Sequence, residues 1–207
     1  MHLSKFLSLS PLVAVAAADH VWQCQTIGYA DGHLYCRKNA QGQCLGDLGD
    51  FPAKDKFLLN MAVGDNPDRP MDPIRLADQV DFHRYNVFDR RLYLDSSPGA
   101  FAPMGFTHDN STLRGGETTW GFFGAQGFLI WSSTGRIADA GPPAKGGGTQ
   151  VVAQQGFDWV ESDWPGVYQL YWNQTQWEEA VRGRYNLQAG FFGQCYGDYS
   201  PVMTDVS

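Results

Sequence analysis

The chain has 207 residues, of which 43% are hydrophobic and 14% aromatic, and a formal net charge of −7. It therefore lacks the clustered Lys and Arg that a nucleic-acid footprint needs, since its densest basic run, Arg84 with Arg90 and Arg91, is interrupted by Asp89. Such a length supports one domain with a sizeable core.

The first residues, MHLSKFLSLSPLVAVAAADH, have the order of a secretory leader. Lys5 gives a positive start, Phe6 to Ala18 an apolar run, and Ala16-Ala17-Ala18 a small-residue cleavage site. The expected leader is 1–18 and the expected domain 19–207. No later stretch is apolar for the length of a membrane helix, so a soluble secreted protein is expected.

VWQCQTIGYADGHLYCR predicts a hairpin turning at Asp31-Gly32, because this pair tolerates the positive φ of a tight turn. Phe57 to Val63 is a buried strand or a short helix, followed by a proline-rich loop. DFHRYNVFDRRLYLD predicts a second hairpin turning near Asp89-Arg90. FAPMGFTHD, TTWGFFG, GFLIWSS, TQVVAQQGFDWVES, GVYQLYWN and GRYNLQAGFFGQCYG add short strands between Gly and Pro turns. The predicted class is all-β: a single-domain antiparallel sandwich or barrel. Ile137 to Gln150 is expected to be an irregular loop, with Pro142-Pro143 and Gly146-Gly147-Gly148 preventing regular structure. One short helix is predicted near 176–182, opened by a Thr175–Glu178 capping box and closed by Gly183.

Four cysteines, Cys24, Cys36, Cys44 and Cys195, read as two disulfides behind a leader. Three pairings exist. The simplest joins Cys36 to Cys44 across RKNAQGQ and leaves Cys24 for Cys195. Asn110 and Asn173 head glycosylation sequons, so N-linked glycans are expected partners.

The stretch TTWGFFGAQGFLIWSS concentrates rings between glycines. It predicts strands Thr118 to Phe123 and Phe128 to Ser133, joined at Gln126-Gly127, with Trp120 and Phe122 on one face. Trp131 shares a face with Leu129, and the opposite face is apolar too. GVYQLYWN sets Tyr168, Leu170 and Trp172 against Val167, Gln169 and Tyr171. Apolar walls with a few polar groups are what a small-molecule pocket requires. Trp120, Trp131, Gln169 and Tyr171 are therefore the candidate pocket lining for a hydrophobic substrate, although strand aromatics more often form core.

No nucleophile elbow, P-loop or dinucleotide fingerprint is present. No His or Cys spacing argues for a metal, and no cofactor is expected. His83 and His108 are the candidate proton donors. Glu161 and Asp163, beside Trp159 and Trp164, could form a glycosidase-type acid pair, but a solvated turn before Pro165 is the favoured reading.

The run RRLYLDSSPGAF, GFTHDNSTLRGG, WGFFGAQGFLIWSS and PGVYQLYWN resembles small secreted fungal β-proteins of the phialide cell-wall-protein type. Proteins of this texture include the hetero-Diels–Alderases of fungal tropolone-sesquiterpenoid pathways. The resemblance implies an enzyme that dehydrates a hydroxymethyl tropolone and joins the quinone methide to humulene. A pericyclic step needs neither nucleophile nor metal, only a cavity that poses two partners and a few donors on a tropolone oxygen. The alternatives are a non-catalytic cell-wall or carbohydrate-binding glycoprotein, and a glycoside-active enzyme using Glu161 or Asp163.

Overall fold

A computed structural model describes residues 20–63, 73–125, 128–133, 156–183, 189–194, 196–198 and 202–206. The expected leader, the Gln126-Gly127 turn, the 137–150 loop and Cys195 lie outside the described residues.

The protein is all-β with one short helix. Strand β1 (His20–Ala30) turns at Asp31-Gly32 into β2 (His33–Lys38), and the short β3 (Cys44–Leu45) folds back on β2. Asp31 adopts φ 45 and Gly32 φ 90, the positive values expected of Asp-Gly. The ambiguous run becomes β4 (Lys56–Val63), and β5 (Arg75–Asp81) and β6 (Arg84–Asp95) follow. The hairpin expected near Asp89-Arg90 turns instead at Phe82-His83, where His83 takes φ 79. Strand β6 runs unbroken through Asp89 and Arg90 because Arg90 finds polar partners inside the molecule, described below.

β7 (Phe101–Pro103), β8 (Gly105–Thr107) and a short 3-10 helix at Asn110–Thr112 precede β9 (Glu117–Thr118), β10 (Phe122–Ala125) and β11 (Phe128–Ser132). The strand expected from Thr118 to Phe123 is split at Gly121, which has φ 94. A Cβ at Gly121 would sit 2.9 Å from Trp131 Nε1, so only glycine lets the chain pass there. Trp120 and Phe122 consequently part: Trp120 is 41% exposed and Phe122 is buried.

The remaining elements are β12 (Phe157–Glu161), β13 (Val167–Asn173), α1 (Gln174–Gly183), β14 (Ala189–Gln194), β15 (Tyr196–Asp198) and β16 (Val202–Val206). The helix starts earlier than the Thr175 capping box implies. Asn173 Oδ1 accepts from Gln176 N–H at 3.0 Å and takes the cap. Glu178 instead accepts from the Gln174 amide, whose oxygen in turn receives Trp172 Nε1–H.

Six strands form a closed barrel. β1 pairs with β2, β2 with β8, β8 with β6, β6 with β5, β5 with β4, and β4 returns to β1. Closure removes the exposed edges of an open sheet. A register shift between Cys24 and Gly28 lets β1 bend enough to pair along β4 and then with β2. The described pairings are antiparallel except β16, which lies parallel to β6. β12 and β13 extend the sheet from β2, and β10, β11 and β14 form a separate three-stranded sheet.

Ile27, Tyr29, Leu34, Leu59, Met61, Leu76, Leu92, Leu94 and Met104 fill the barrel. The same core continues into a layer of rings. Trp131 packs edge-on against Trp172 and Trp177, each 4.9 Å away, and Phe157 stands edge-on to Trp172 at 5.0 Å. A disulfide joins Cys36 to Cys44, and Cys24 is also disulfide-bonded.

Candidate functional site

At one end of the barrel the Asp31-Gly32 turn, the approach to β4 and the exit of β8 surround an open recess of about 520 Å³. Tyr29, Asp31, Gly32, Lys54, Asp55, Arg90, Phe106 and His108 line it. Two clamps hold its rim. Asp31 accepts from the backbone N–H groups of Lys54, at 3.3 Å, and Asp55, at 3.1 Å. Phe106 N–H donates to Gly32 carbonyl oxygen at 2.8 Å, which fixes β8 against the turn.

Arg90 organises the recess. It shares strand parity with Leu92 and Leu94, both buried, so its guanidinium is directed to the interior side of β6. Nη1 donates to the Tyr29 phenol oxygen and, at 2.9 Å, to Asp55 Oδ2. Nε donates to His108 Nε2 at 2.9 Å, so that imidazole nitrogen is unprotonated in this arrangement. Tyr29 also packs against Phe57 at 4.9 Å and, edge-on, Phe106 at 5.8 Å.

The electrostatics follow from this packing. Burial raises the Tyr29 phenol above its ordinary value, although the Arg90 cation pulls the other way. The phenol is therefore neutral near neutral pH and keeps a proton to donate. Burial alone would lower Arg90, but Tyr29 and Asp55 outweigh it and hold Arg90 above its usual value. Arg90 remains a cation throughout the accessible range.

None of the four expected pocket-lining residues lines this recess; the structure groups them as two pairs, Trp120 with Trp131 and Gln169 with Tyr171. Trp131 is 2% exposed and donates its Nε1–H to Trp120 carbonyl oxygen at 3.0 Å, so it belongs to the ring layer of the core. Trp120 lies at the surface. Gln169 and Tyr171 are half-buried on β13, on the side away from the buried Leu170 and Trp172. Tyr171 stacks on exposed Phe101 at 5.1 Å. Of the two candidate proton donors, His108 stands in the recess. His83 is in the exposed β5–β6 turn with its ring against Phe82.

Glu161 and Asp163 are exposed on the approach to the β12–β13 turn. Asn110 is exposed at the start of the 3-10 helix, open to a glycan. Asn173 is half-buried, and its Nδ2 donates to Asp158 at 2.9 Å. Among the described residues no group of three or more His, Cys, Asp or Glu could hold a metal. No described helix is long and apolar enough to cross a membrane.

The sequence reading missed Arg90, Tyr29 and Asp55. The signal was the parity of RRLYL: counting back from Leu94 and Leu92 puts Arg90 on the inner face. Comparison with protein-family models, curated proteins and solved structures finds no match.

Proposed function

We propose that this chain is a secreted, cofactor-independent cyclase of the hetero-Diels–Alderase type, and that the barrel-end recess is its reaction site. The observation that carries the reading is Arg90, held by Tyr29 and Asp55 and opening onto a recess walled by Tyr29 and Phe106 rings. A volume of about 520 Å³ lies in the range of small-molecule sites, and an open mouth admits a bulky terpene.

The chemistry asks little beyond pose and polarisation. A hydroxymethyl tropolone loses its ring O–H proton and its hydroxymethyl C–O bond breaks, releasing water and a neutral quinone methide. Arg90, held in place by the Tyr29 phenol and Asp55, stabilises negative charge on the tropolone oxygen, and His108 at the rim carries the proton to the departing hydroxyl. The quinone methide oxygen and exocyclic carbon then add across one humulene double bond, forming one C–O and one C–C bond. Holding both partners in a reactive pose supplies part of the rate. The leader-like N-terminus and the disulfides support a secreted location.

The test is incubation with a hydroxymethyl tropolone and humulene. The reading predicts one stereoisomer, formed faster than without protein, and a loss of tenfold or more in Arg90→Lys, which cannot reproduce the planar fork. Rate and stereochemistry equal to the protein-free control would reject it.

A second reading has its own observation. Phe101 on Tyr171, and Trp164 near Phe51 at 6.3 Å, leave aromatic surface exposed, as a carbohydrate-binding wall protein would. Retention on chitin or β-glucan, lost in Phe101→Ala with Trp164→Ala, would favour that role.

A further inference from the structure

We infer that the recess takes a planar oxyanion with two adjacent oxygens, bound edge-on to the Arg90 guanidinium, and that His108 is the placeholder this ligand displaces. The inference rests on the reading of the recess as a ligand site, and it names the ligand chemistry and a pH dependence for that site.

A guanidinium presents five N–H groups in one plane, and the Nε–H and one Nη2–H run parallel along one edge. In this protein Nη1 is committed to Tyr29 and Asp55. That fixes the plane and leaves the Nε/Nη2 edge facing the other way. His108 Nε2 covers only half of this edge, through Nε. Among the described residues nothing accepts from Nη2. A single imidazole nitrogen cannot span both donors; a carboxylate or a deprotonated α-hydroxyketone such as tropolonate can.

His108 is suited to leave. It is exposed, and among the described residues its hydrogen-bond partner is Arg90 alone. Displacing it exchanges one neutral acceptor for two anionic ones, each forming a stronger, charge-assisted bond. Asp31 does not compete for the edge, because both its carboxylate oxygens receive backbone N–H groups.

Protonation acts in the same direction as the ligand. An imidazolium has no lone pair for Arg90 Nε–H and would place two cations 2.9 Å apart. The charged and titratable groups lining the recess with His108 are Arg90 from β6, Tyr29 from β1, Asp31 from the turn, and Lys54 and Asp55 ahead of β4; neighbouring Asp109 lies in the field of Arg91. Asp55 is paired with Arg90, and Asp109 is engaged by Ser111 N–H at 2.8 Å. A proton on His108 Nε2 therefore breaks this bond and opens the edge.

The experiment measures binding of tropolone, and of tropone, which has one oxygen, to the full chain by calorimetry between pH 8 and pH 5.5. His108→Gln keeps an acceptor that does not titrate, and His108→Ala removes the placeholder. The wild type should bind tropolone about tenfold more tightly than tropone, the ratio expected of one added charge-assisted bond. His108→Ala should bind tropolone several-fold more tightly than wild type at pH 8. The wild-type to His108→Gln affinity ratio should rise as the pH falls, a comparison in which titration of tropolone itself cancels. Equal binding of tropolone and tropone, weaker binding in His108→Ala, or a ratio flat with pH would each overturn the inference. Tropolone binding of this pattern without cyclisation would reject only the enzyme reading. Arg90-dependent cyclisation with tropolone and tropone bound alike would reject only this one.

Discussion

Gly105→Ala tests whether the barrel closes where β2 meets β8. That seam is a single residue pair, His33 opposite Gly105. A Cβ on residue 105 would collide with Gly32 carbonyl oxygen, and would stand 3.0 Å from His33 Nδ1 and 3.2 Å from Tyr93 Cε1. The nearest obstacle is backbone, which cannot rotate aside. Two bonds span the seam: Phe106 N–H to Gly32 oxygen at 2.8 Å, and His33 Nδ1–H to Met104 oxygen at 3.2 Å. Overpacking costs about 1–3 kcal/mol, and loss of the backbone bond about 1 kcal/mol more. The sum, about 2–4 kcal/mol, lowers Tm by roughly 5–15 °C in a domain of this size. Urea and thermal unfolding followed by far-UV circular dichroism would measure it. Gly32→Ala is the control: Gly32 has φ +90 with no atom near its missing Cβ, so the cost is backbone strain alone, about 1–2 kcal/mol. A Gly105→Ala protein within ~0.5 kcal/mol of wild type would refute the closed-barrel account of this seam.

Trp131→Ala removes the centre of the ring layer and should cost about 3–5 kcal/mol, whereas Trp120→Ala, at the surface, should cost under ~1 kcal/mol; chemical denaturation separates the two. Cys36→Ser with Cys44→Ser opens a loop with a separation of 8 residues and should lower stability by about 2.5 kcal/mol in the chain-entropy model, seen as a shift in urea midpoint. The Ser111 hydroxyl, then its N–H, hold the Asp109 carboxyl below the ordinary value of 3.8. A depressed carboxyl stabilises the fold above its unfolded value and loses that contribution as pH falls through the folded one. Ser111→Ala should move the Asp109 titration upward, read from its carboxyl carbon by NMR, and bring acid sensitivity to a higher pH.

Local chemistry was legible in the sequence and long-range geometry was not. Asp31-Gly32 announced its hairpin because the turn's φ values select those residues. The Cys36–Cys44 bridge is likewise local. β5 escaped notice because RLADQVD has only Leu76 and Ala77 buried and lacks two-residue alternation. The hairpin was misplaced at Asp89-Arg90 because two adjacent charges resemble a solvated turn. An arginine on the core-facing side of a strand looks wrong until Tyr29 and Asp55 arrive from distant parts of the chain. The aromatic stretch gave the opposite error. Its rings suggested a pocket wall, but Gly121 splits the strand, sending Trp120 outward while Trp131 fills the core. The barrel itself depends on β8 meeting β2 some seventy residues away in sequence, which no local pattern encodes.

The most direct measurement is a crystal structure of the protein soaked with a tropolone-type substrate. The account predicts the ligand in the barrel-end recess, its two oxygens hydrogen-bonded to Nε and Nη2 of Arg90 and the His108 ring turned away. A ligand seated elsewhere, against Trp120 or on the Phe101–Tyr171 face, with Arg90 still bonded to His108, would contradict it.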